Sequence, residues 1–252
     1  MSVLAVIPCL NEAAHLPGLL DLFLAQEDIA LLVVADGGST DGSRELVVQR
    51  SQSDCRLVLL DNPARIQSAG VNLAVATFGK DLAWLVRIDA HCDYPSGYVR
   101  TLLDAAQAHE ASSVVVPMAT KARGGFQLAV AAAQNSALGT GGSPHRHVTH
   151  GRYVDHGHHA LMDIRLFRQA GGYCEAMPCN EDAEIDYRFG LLGAAIWLEP
   201  DAAIGYYPRR DLRSLAKQYY RYGVGRARNV RRHRLKMKLR QMLPITVALS
   251  VL

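Results

Sequence analysis

Residues 30–42, Ala-Leu-Leu-Val-Val-Ala-Asp-Gly-Gly-Ser-Thr-Asp-Gly, join an uninterrupted apolar run to a turn of glycines and small polar residues. The apolar run is typical of a strand covered on both faces, and the turn opens a helical pattern. Ser39 or Thr40 can cap that helix, and Asp41 favours its positive end. Alternatively, Asp36 at the strand tip accepts a hydrogen bond from a bound base or sugar.

The same unit recurs through the first half of the chain. Near-continuous apolar runs predict strands at Val3–Ile7, Ala30–Ala35, Arg56–Leu60, Leu82–Ile88 and Ser113–Pro117. Helical spacing lies between them, at residues 13–25, 42–52, 66–78 and 97–109. The alternation predicts an α/β fold with a mostly parallel, doubly wound sheet flanked by helices.

The second half of the chain departs from this alternation. Residues 139–159 are rich in glycine and histidine and predict a mobile loop. A helix is predicted to begin near Glu181, and short strands are predicted at Ala195–Leu198 and Ala203–Tyr207. From Asp211 onward the pattern predicts a basic arm of one or two helices.

The net charge of +3 conceals a strong asymmetry. Residues 209–240 carry 13 of the 27 Lys and Arg against the single acid Asp211, so this arm sums to +12 and the rest to −9. An anionic membrane surface is the favoured partner, because each base near such a surface contributes about 1 kcal/mol. Nucleic acid is disfavoured, since the acidic body would repel phosphates and no nucleic-acid motif is present. The apolar run Leu243–Leu252 is too short to span a bilayer.

Cysteine usage and the first residues indicate the compartment. The five cysteines are scattered and odd in number, which favours a reducing environment over a disulfide framework. Met1 leads directly into Val3–Ile7, which is typical of a core strand rather than a secretory signal. These features predict a cytoplasmic protein, peripheral or anchored at the inner face of the membrane.

Candidate ligand-binding residues follow the predicted strands, where doubly wound sheets bind their ligands. They are Asn11 and Glu12 after the first strand, Asp36 after the second, and Asp89 and His91 after the fourth. Asp89 and His91 are two residues apart, so both can point the same way from an extended segment. A carboxylate with an imidazole suits Mn²⁺ or Mg²⁺ held together with diphosphate oxygens. Asp93, two residues further on, would point the same way as Asp89 and His91 and is a reserve ligand. Alternatively, Asp89 simply ends a strand and His91 lies on the surface.

The segment Asn180-Glu181-Asp182-Ala183-Glu184 predicts a capped, acid-rich helix start. If that helix points into a cleft, its backbone also mounts a general base rigidly.

Six histidines lie between His145 and His159, in a spacing that fits no structural zinc site. They are interpreted as loop histidines, of which His159 is the best candidate for contact with phosphate.

The segment Gln218-Tyr219-Tyr220-Arg221-Tyr222-Gly223 opens the basic arm. A solvated amphipathic helix, contact with an acceptor substrate and adhesion to anionic lipid are all compatible with it.

Six segments in this order resemble family 2 glycosyltransferases of the GT-A fold, most closely the membrane-associated enzymes of succinoglycan-type exopolysaccharide synthesis. The segments are Val6–Glu12, Asp36–Asp41, Arg87–Asp93, Asn180–Glu184, Tyr206–Arg209 and Gln218–Gly223. The resemblance implies a Rossmann-like GT-A catalytic domain over residues 1–208, with a nucleotide-binding half (1–118) and an acceptor-binding half (119–208). Residues 209–252 would form a basic, amphipathic, membrane-associating arm.

The activity implied is metal-dependent, inverting transfer of a hexose from a nucleoside diphosphate sugar, with a UDP-sugar favoured. The acceptor implied is a glycan or lipid-linked saccharide in polysaccharide biosynthesis. By the same resemblance, Asp182 is the catalytic base, and Asp89 and His91 hold Mn²⁺ or Mg²⁺. The donor-binding residues implied are Pro8, Asn11, Glu12, Asp36, Arg65, Asp89 and His159. The acceptor-binding residues implied are Glu181, Gln218, Arg221 and Tyr222.

Three departures from the family pattern bear on these expectations. Gly37 stands where the family commonly has a second acid, so base recognition rests on Asp36 or on the backbone. His91 replaces the last acid of the usual Asp-x-Asp triplet, a form that the succinoglycan-type relatives share. Those relatives continue into transmembrane helices, which implies that this chain is a shortened form. The alternative function is a non-catalytic nucleotide-sugar-binding or scaffold protein on the same fold.

Overall fold

The computed structural model describes residues 2–136, 150–177 and 179–236, and in its first part strands and helices alternate. The strands are β1 (Val3–Cys9), β2 (Ile29–Asp36), β3 (Leu57–Asp61) and β4 (Trp84–Arg87). The helices are α1 (Leu16–Leu24), α2 (Ser43–Ser51) and α3 (Gln67–Phe78). All four strands are parallel, in the order β3-β2-β1-β4. The predicted mostly parallel α/β sheet is confirmed.

Side chains of β1 alternate between two hydrophobic cores, one on each face of the sheet. Val3 and Ile7 belong to one core, and Leu4 and Val6 belong to the other. All four are fully buried. Because successive side chains of a strand point to opposite faces, a continuous apolar run is what a strand covered on both sides requires.

The second part of the chain completes the main sheet and builds a smaller one. Its strands are β5 (Cys92–Asp93), β6 (Ser113–Val116), β7 (Met118–Thr120), β8 (Arg152–Tyr153), β9 (His158–Asp163), β10 (Ile196–Leu198) and β11 (Ile204–Tyr206). Its helices are α4 (Tyr98–Ala108), α5 (Phe126–Gln134), α6 (Ile164–Gln169), α7 (Glu181–Leu191) and α8 (Leu212–His233). The main sheet has the order β3-β2-β1-β4-β9-β6-β10-β8, and the smaller sheet has the order β5-β11-β7.

Strand β9 is the main difference from the sequence-based expectation. The predicted loop over residues 139–159 lies partly outside the described residues, but His158 and His159 begin a strand rather than ending a loop. This strand runs antiparallel between β4 and β6, with Leu161 opposite Val86. It therefore sets two histidines directly beside the carboxyl end of β4.

The turn that follows β2 also differs in one detail. Gly42, with φ of 95°, precedes α2, so neither Ser39 nor Thr40 caps that helix and this prediction was wrong. The Ser39 hydroxyl instead accepts a hydrogen bond from the backbone N–H of Asn11 at 2.8 Å. Its role is to join the loop after β1 to the loop after β2.

Helix α8, the described part of the predicted arm, packs along the start of α7. A Cβ atom added at Gly225 would lie 2.6 Å from the carbonyl oxygen of Cys179, so the two backbones approach closely. Further along, the fully buried carboxylate of Glu184 accepts hydrogen bonds from Arg188 at 3.1 Å and from His233 at 2.8 Å. The arm is thus tied to α7 by the hydrogen bond between His233 and the buried carboxylate of Glu184.

The opposite face of α8 is basic. Gln218, Gly225, Asn229 and His233 lie on the side towards α7, while Arg213, Lys217, Arg228 and Arg231 lie on the other side and are exposed. Among residues 2–136, 150–177 and 179–236, no helix is both long and apolar enough to cross a membrane. The apolar run Leu243–Leu252 lies outside the described residues.

Candidate active site

A cleft of about 210 Å³ opens beyond the carboxyl ends of β1 and β4. Its lining consists of Pro8, Cys9, Leu10, Glu12, Gly37, Asn62, Arg65, Ile66, Gln67, Asp89, Ala90 and His91. Four predicted donor-binding residues, Pro8, Glu12, Arg65 and Asp89, are therefore brought together with the predicted metal ligand His91. A larger hollow of about 470 Å³ between α1 and α2 contains none of the predicted site residues.

Asp36 is buried next to the cleft and supports the turn that contributes Gly37 to its lining. It is 1% exposed, and its carboxylate accepts hydrogen bonds from the backbone N–H groups of Gly38 (2.8 Å) and Ser39 (3.0 Å) and from Arg44 (2.7 Å). Burial would raise the pKa of Asp36, but these hydrogen bonds hold it below its usual value. Asp36 does not line the cleft, whereas its neighbour Gly37 does. Direct contact between Asp36 and a base stays a prediction.

Asn11 has a similar supporting position. Its backbone takes a positive φ of 58°, and its side-chain oxygen accepts a hydrogen bond from the N–H of Thr40 at 2.9 Å. Together with the bond from its own N–H to Ser39, this contact fixes the two loops relative to each other. Asn11 is not among the residues that line the cleft.

Asp89 is held in place by hydrogen bonds to two other parts of the site. Its carboxylate accepts a hydrogen bond from Gln67 at 2.6 Å, and its backbone N–H donates to the hydroxyl of Tyr94 at 2.7 Å. Burial would raise the pKa of Asp89, but Arg87 and His158 lower it to about 2. The carboxylate is therefore ionised throughout the physiological range, as a metal ligand must be.

His91 lines the same cleft as Asp89. Half of its side chain is exposed, and its Nδ1 lies 3.6 Å from Oε1 of Glu12. The neighbouring carboxylate of Glu12 raises the pKa of His91 above its usual value. Within the described ranges, no three His, Cys, Asp or Glu side chains converge closely enough to hold a metal ion by themselves. The two predicted donors suit a cation that takes its remaining ligands from phosphate oxygens.

Asp93, the predicted reserve ligand, is directed elsewhere. Its Oδ2 lies 2.9 Å from Nζ of Lys121 and accepts a hydrogen bond from Tyr207 at 2.9 Å. It sits on β5 of the small sheet, opposite Gly205 of β11. Asp93 is not among the residues that line the cleft, and its role as a reserve ligand stays a prediction.

Asp182 lies at the start of α7 and meets Asp89 through two bridging side chains. Arg87, 5% exposed, pairs with Asp182 and lies 3.4 Å from Oδ1 of Asp89. His158 spans the same gap, with Nε2 at 3.6 Å from Asp89 and Nδ1 at 3.9 Å from Asp182. The two carboxylates thus share one buried arginine and one histidine.

The pKa values of Glu181 and Asp182, neighbours at the start of α7, shift in opposite directions. Burial would raise the pKa of Asp182, but Arg87 and His159 hold it below its usual value. Burial and the nearby Asp182 raise the pKa of Glu181, which lies 3.4 Å from Arg87. Asp182 is therefore ionised at neutral pH and able to accept a proton. The side chain of the preceding residue, Asn180, makes no capping hydrogen bond, so the acids rather than a cap mark this helix start.

His159 is placed differently from the sequence-based expectation. It is fully buried in β9, where Nε2 lies 2.7 Å from Asp186 and Nδ1 lies 2.7 Å from the hydroxyl of Tyr173. The interpretation as a loop histidine was wrong, because β9 carries it into the core. Because none of its surface is exposed, His159 cannot contact a donor directly. Its neighbour His158 is the histidine that reaches Asp89.

The predicted acceptor residues of α8 lie beside the start of α7. Gln218 donates hydrogen bonds to the hydroxyls of Tyr206 (2.9 Å) and Tyr222 (2.8 Å). Tyr222 and Arg221 are exposed on the turn of α8 that precedes the close contact of Gly225 with Cys179. These side chains therefore lie near the helix start that carries Glu181.

Comparison with known proteins identifies the family. Residues 4–169, about two thirds of the chain, match the family described as Glycosyl transferase family 2. The chain belongs to glycosyl transferase family 2. It is also 50% identical over 249 residues to the succinoglycan biosynthesis protein ExoA of Rhizobium meliloti (strain 1021), a match that covers 98% of this chain and 76% of ExoA.

Solved structures support the GT-A fold of this family 2 glycosyltransferase. The mannosyltransferase PcManGT from Pyrobaculum calidifontis, in complex with GDP-Man and Mn²⁺, aligns with a TM-score of 0.67 at 17% identity over 96% of this chain and 67% of its own. S. aureus TarS 1-349, in complex with UDP-GlcNAc, aligns with a TM-score of 0.60 at 13% identity over 89% of this chain and 66% of its own. At these identities the likeness shows the fold alone.

Several site residues of this family 2 glycosyltransferase escaped sequence reasoning. They are Gln67, Arg87, His156, His158, Tyr173 and Asp186. Gln67 follows β3 and could have been found from the rule that ligands bind beyond the strand ends. The pairing of β9 with β4 determines the positions of His158, Tyr173 and Asp186. No local sequence pattern predicts this pairing.

Proposed function

We propose that this family 2 protein is an inverting, metal-dependent glycosyltransferase of exopolysaccharide biosynthesis. It transfers a hexose from a nucleoside diphosphate sugar to a glycan or a lipid-linked saccharide. The observation that carries the proposal is the convergence of Asp89 and Asp182 on Arg87 and His158. One ionised carboxylate faces the nucleotide cleft with His91, and the other stands at a helix start beside the predicted acceptor residues.

The donor is proposed to lie in the 210 Å³ cleft, with its base near Pro8 and Gly37 and its diphosphate near Arg65 and Asp89. A guanidinium is well suited to phosphate oxygens because of its planar fork of donors. UDP is the favoured nucleotide, and GDP is the competing one. Solved structures of the same fold contain UDP-GlcNAc in one case and GDP-Man in another.

Asp89 and His91 are proposed to hold Mn²⁺ or Mg²⁺ together with the diphosphate. Their donor set, one carboxylate and one imidazole, fits a cation that completes its shell with phosphate oxygens and water. When bound, the cation supplies charge neutralisation for the departing diphosphate. Gln67 and Tyr94 keep Asp89 in its place, and Glu12 does the same for His91.

Asp182 is proposed to act as the general base in a single displacement. Its carboxylate takes the proton of the acceptor hydroxyl while that oxygen bonds to the anomeric carbon. The bond from this carbon to the diphosphate breaks on the opposite face, and its electron pair leaves with the diphosphate. Because the new bond forms on the face opposite the one that breaks, the anomeric configuration inverts.

Metal-dependent nucleotide binding tests this proposal. Calorimetric titration of UDP, and separately of GDP, should show tighter binding with Mn²⁺ than without it. His91→Ala should weaken the metal-dependent part at least about tenfold, because a ligand of the cation is lost. His109→Ala is the matched control, since His109 stacks on Trp197 away from the cleft. Binding that ignores both the metal and His91 would favour a non-catalytic nucleotide-sugar-binding or scaffold protein.

The exposed basic face of α8 is proposed to hold the enzyme at the anionic inner surface of the cell membrane, where a lipid-linked acceptor would be found. Because Glu184 and His233 tie this helix to α7, removal of the helix would disturb the site, and substitutions are the cleaner test. Replacement of Arg213, Lys217, Arg228 and Arg231 by Gln should weaken binding to phosphatidylglycerol-containing vesicles. Each base contributes about 1 kcal/mol, so the loss of four should weaken binding up to about a thousandfold.

Two controls make the vesicle measurement specific. Wild-type protein should bind far less to pure phosphatidylcholine vesicles, and the pair Lys80→Gln and Arg165→Gln, on the body, should leave binding nearly unchanged. Undiminished binding of the fourfold α8 variant would refute the membrane assignment.

A further inference from the structure

A buried histidine stands directly behind the proposed base. His159 Nδ1 lies 3.6 Å from Oδ1 of Asp182, and its Nε2 lies 2.7 Å from Oδ1 of Asp186. Asp182 and Asp186 are four residues apart on α7 and therefore share one face of the helix, which is the face that meets β9. The arrangement is a carboxylate, an imidazole and a second carboxylate in sequence, with the first beside the cleft and the second in the core.

The second carboxylate is fully enclosed. Asp186 is 1% exposed, and it accepts hydrogen bonds from His159 at 2.7 Å, from His156 at 3.0 Å and from the N–H of Gly157 at 3.3 Å. Removing a carboxylate from water is costly unless a positive group or strong donors compensate. The ring of His159 is the buried group that offers Asp186 a positive charge.

The surroundings of His159 favour its protonated form. Burial would lower the pKa of His159, but Asp186 and Asp182 raise it above its usual value, against the opposing charge of Arg87. As an imidazolium, the ring donates from both nitrogens. Nε2–H then donates to Asp186, and Nδ1–H donates to the hydroxyl of Tyr173 on the side where Asp182 lies.

We propose that His159, held by Asp186, is a positioning residue that keeps the carboxylate of Asp182 ionised and oriented for the acceptor hydroxyl. The proposal rests on the proposed function of Asp182 as the base. Arg87 supplies one positive charge to Asp182 from β4, and His159 supplies a second from β9. His156, 35% exposed on its side chain, closes the far end of the cluster by bonding Asp186.

The groups that bear on this cluster come from every element packed around it. They are Arg87 from β4, His156 from the segment before β9, His158 from β9, Tyr173 from the segment after α6, and Glu181, Asp182 and Asp186 from α7. Of these groups, Arg87 is the one whose charge does not depend on pH. It also contacts Asp89 and Glu181, so replacing it would not isolate the effect of His159. Replacing His159 or Asp186 can.

The test is the pH dependence of turnover in His159→Gln and Asp186→Asn. An opposite charge within about 4–6 Å lowers a carboxyl pKa by about 1–3 units, so loss of the imidazolium should shift the acidic limb of kcat upward by about one unit or more. The KM for the donor should change little. Asp186→Asn should shift the limb in the same direction, and the double variant should cost no more than His159→Gln alone, because Asp186 acts through His159.

His109→Gln is the matched control and should leave the limb in place. An unshifted limb in folded His159→Gln, or fully additive effects in the double variant, would overturn the proposal. If His159→Gln fails to fold, ¹⁵N NMR of the wild-type histidine rings at pH 7 decides instead: both ring nitrogens of His159 should be protonated, and a neutral ring would overturn the inference. Failure of the proposed function would look different. In that case the wild type would show no turnover, or Asp182→Asn would turn over as fast as the wild type, whatever the NMR measurement shows for His159.

Discussion

Arg87→Met is expected to lower the free energy of unfolding by about 3–5 kcal/mol near neutral pH, because it leaves buried carboxylates without their cation. Arg87 is 5% exposed and contacts Asp89, Glu181 and Asp182 at once. Methionine keeps much of the side-chain length but none of the charge. Urea denaturation of the variant and the wild type, followed by circular dichroism, measures the loss.

The loss should depend on pH in a defined direction. The pKa of Asp89 in the folded protein is about 2, below its ordinary value of 3.8, so its pairing stabilises the fold above the unfolded pKa. That stabilisation disappears as the pH falls from about 4 towards 2. The difference between Arg87→Met and the wild type should therefore be full above about pH 5 and shrink below it. Arg165→Met, at a side chain that is 93% exposed, should cost less than about 0.5 kcal/mol. A loss that is small, or equal at all pH values, would contradict the role of Arg87.

The sheet and the nucleotide cleft could be predicted because local patterns determine them. The apolar runs of β1 and β2 indicate strands covered on both faces, and parallel strands bring their carboxyl ends to one edge. Asp89 and His91 were therefore expected beside Glu12, and all three line one cleft.

The second half of the site could not be predicted in the same way. Strand β9 contains His158 and His159, and its sequence does not alternate clearly between polar and apolar residues. Its pairing with β4 joins residues more than seventy positions apart, with Leu161 opposite Val86. The pairing sets His159 against Asp186, and this contact explains how the imidazole of His159 can be fully buried.

Arg87 illustrates a residue whose role was hidden by its position in a motif. In the sequence it lies inside the predicted strand Leu82–Ile88, next to Asp89 and His91, and no role was assigned to it. In the fold it is the cation shared by the acids of β4 and α7. Such a role depends on two segments about ninety residues apart, so spacing alone gives no sign of it.

Asp182→Asn is expected to lower turnover by about 10²–10⁴-fold, the usual contribution of a general base. Asparagine has nearly the same shape but does not accept the proton at neutral pH. Donor binding should persist, because the cleft that holds the nucleotide is lined by other residues. Asp201→Asn, at an exposed acid away from the cleft, is the matched control and should retain wild-type turnover.

Glu181→Gln separates the two neighbouring acids. Because the pKa of Glu181 is raised whereas that of Asp182 is lowered, Glu181 is the poorer candidate for an ionised base at neutral pH. Its replacement should alter the KM for the acceptor more than it alters kcat.

The most direct test of a cleft with a cation on one side and a proton acceptor on the other uses a single preparation of Asp182→Asn. Its dissociation constant for the nucleoside diphosphate with Mn²⁺ and its turnover with the matching sugar donor are measured side by side. We predict nucleotide affinity equal to that of the wild type and turnover reduced at least about a hundredfold. Turnover equal to that of the wild type would contradict the account.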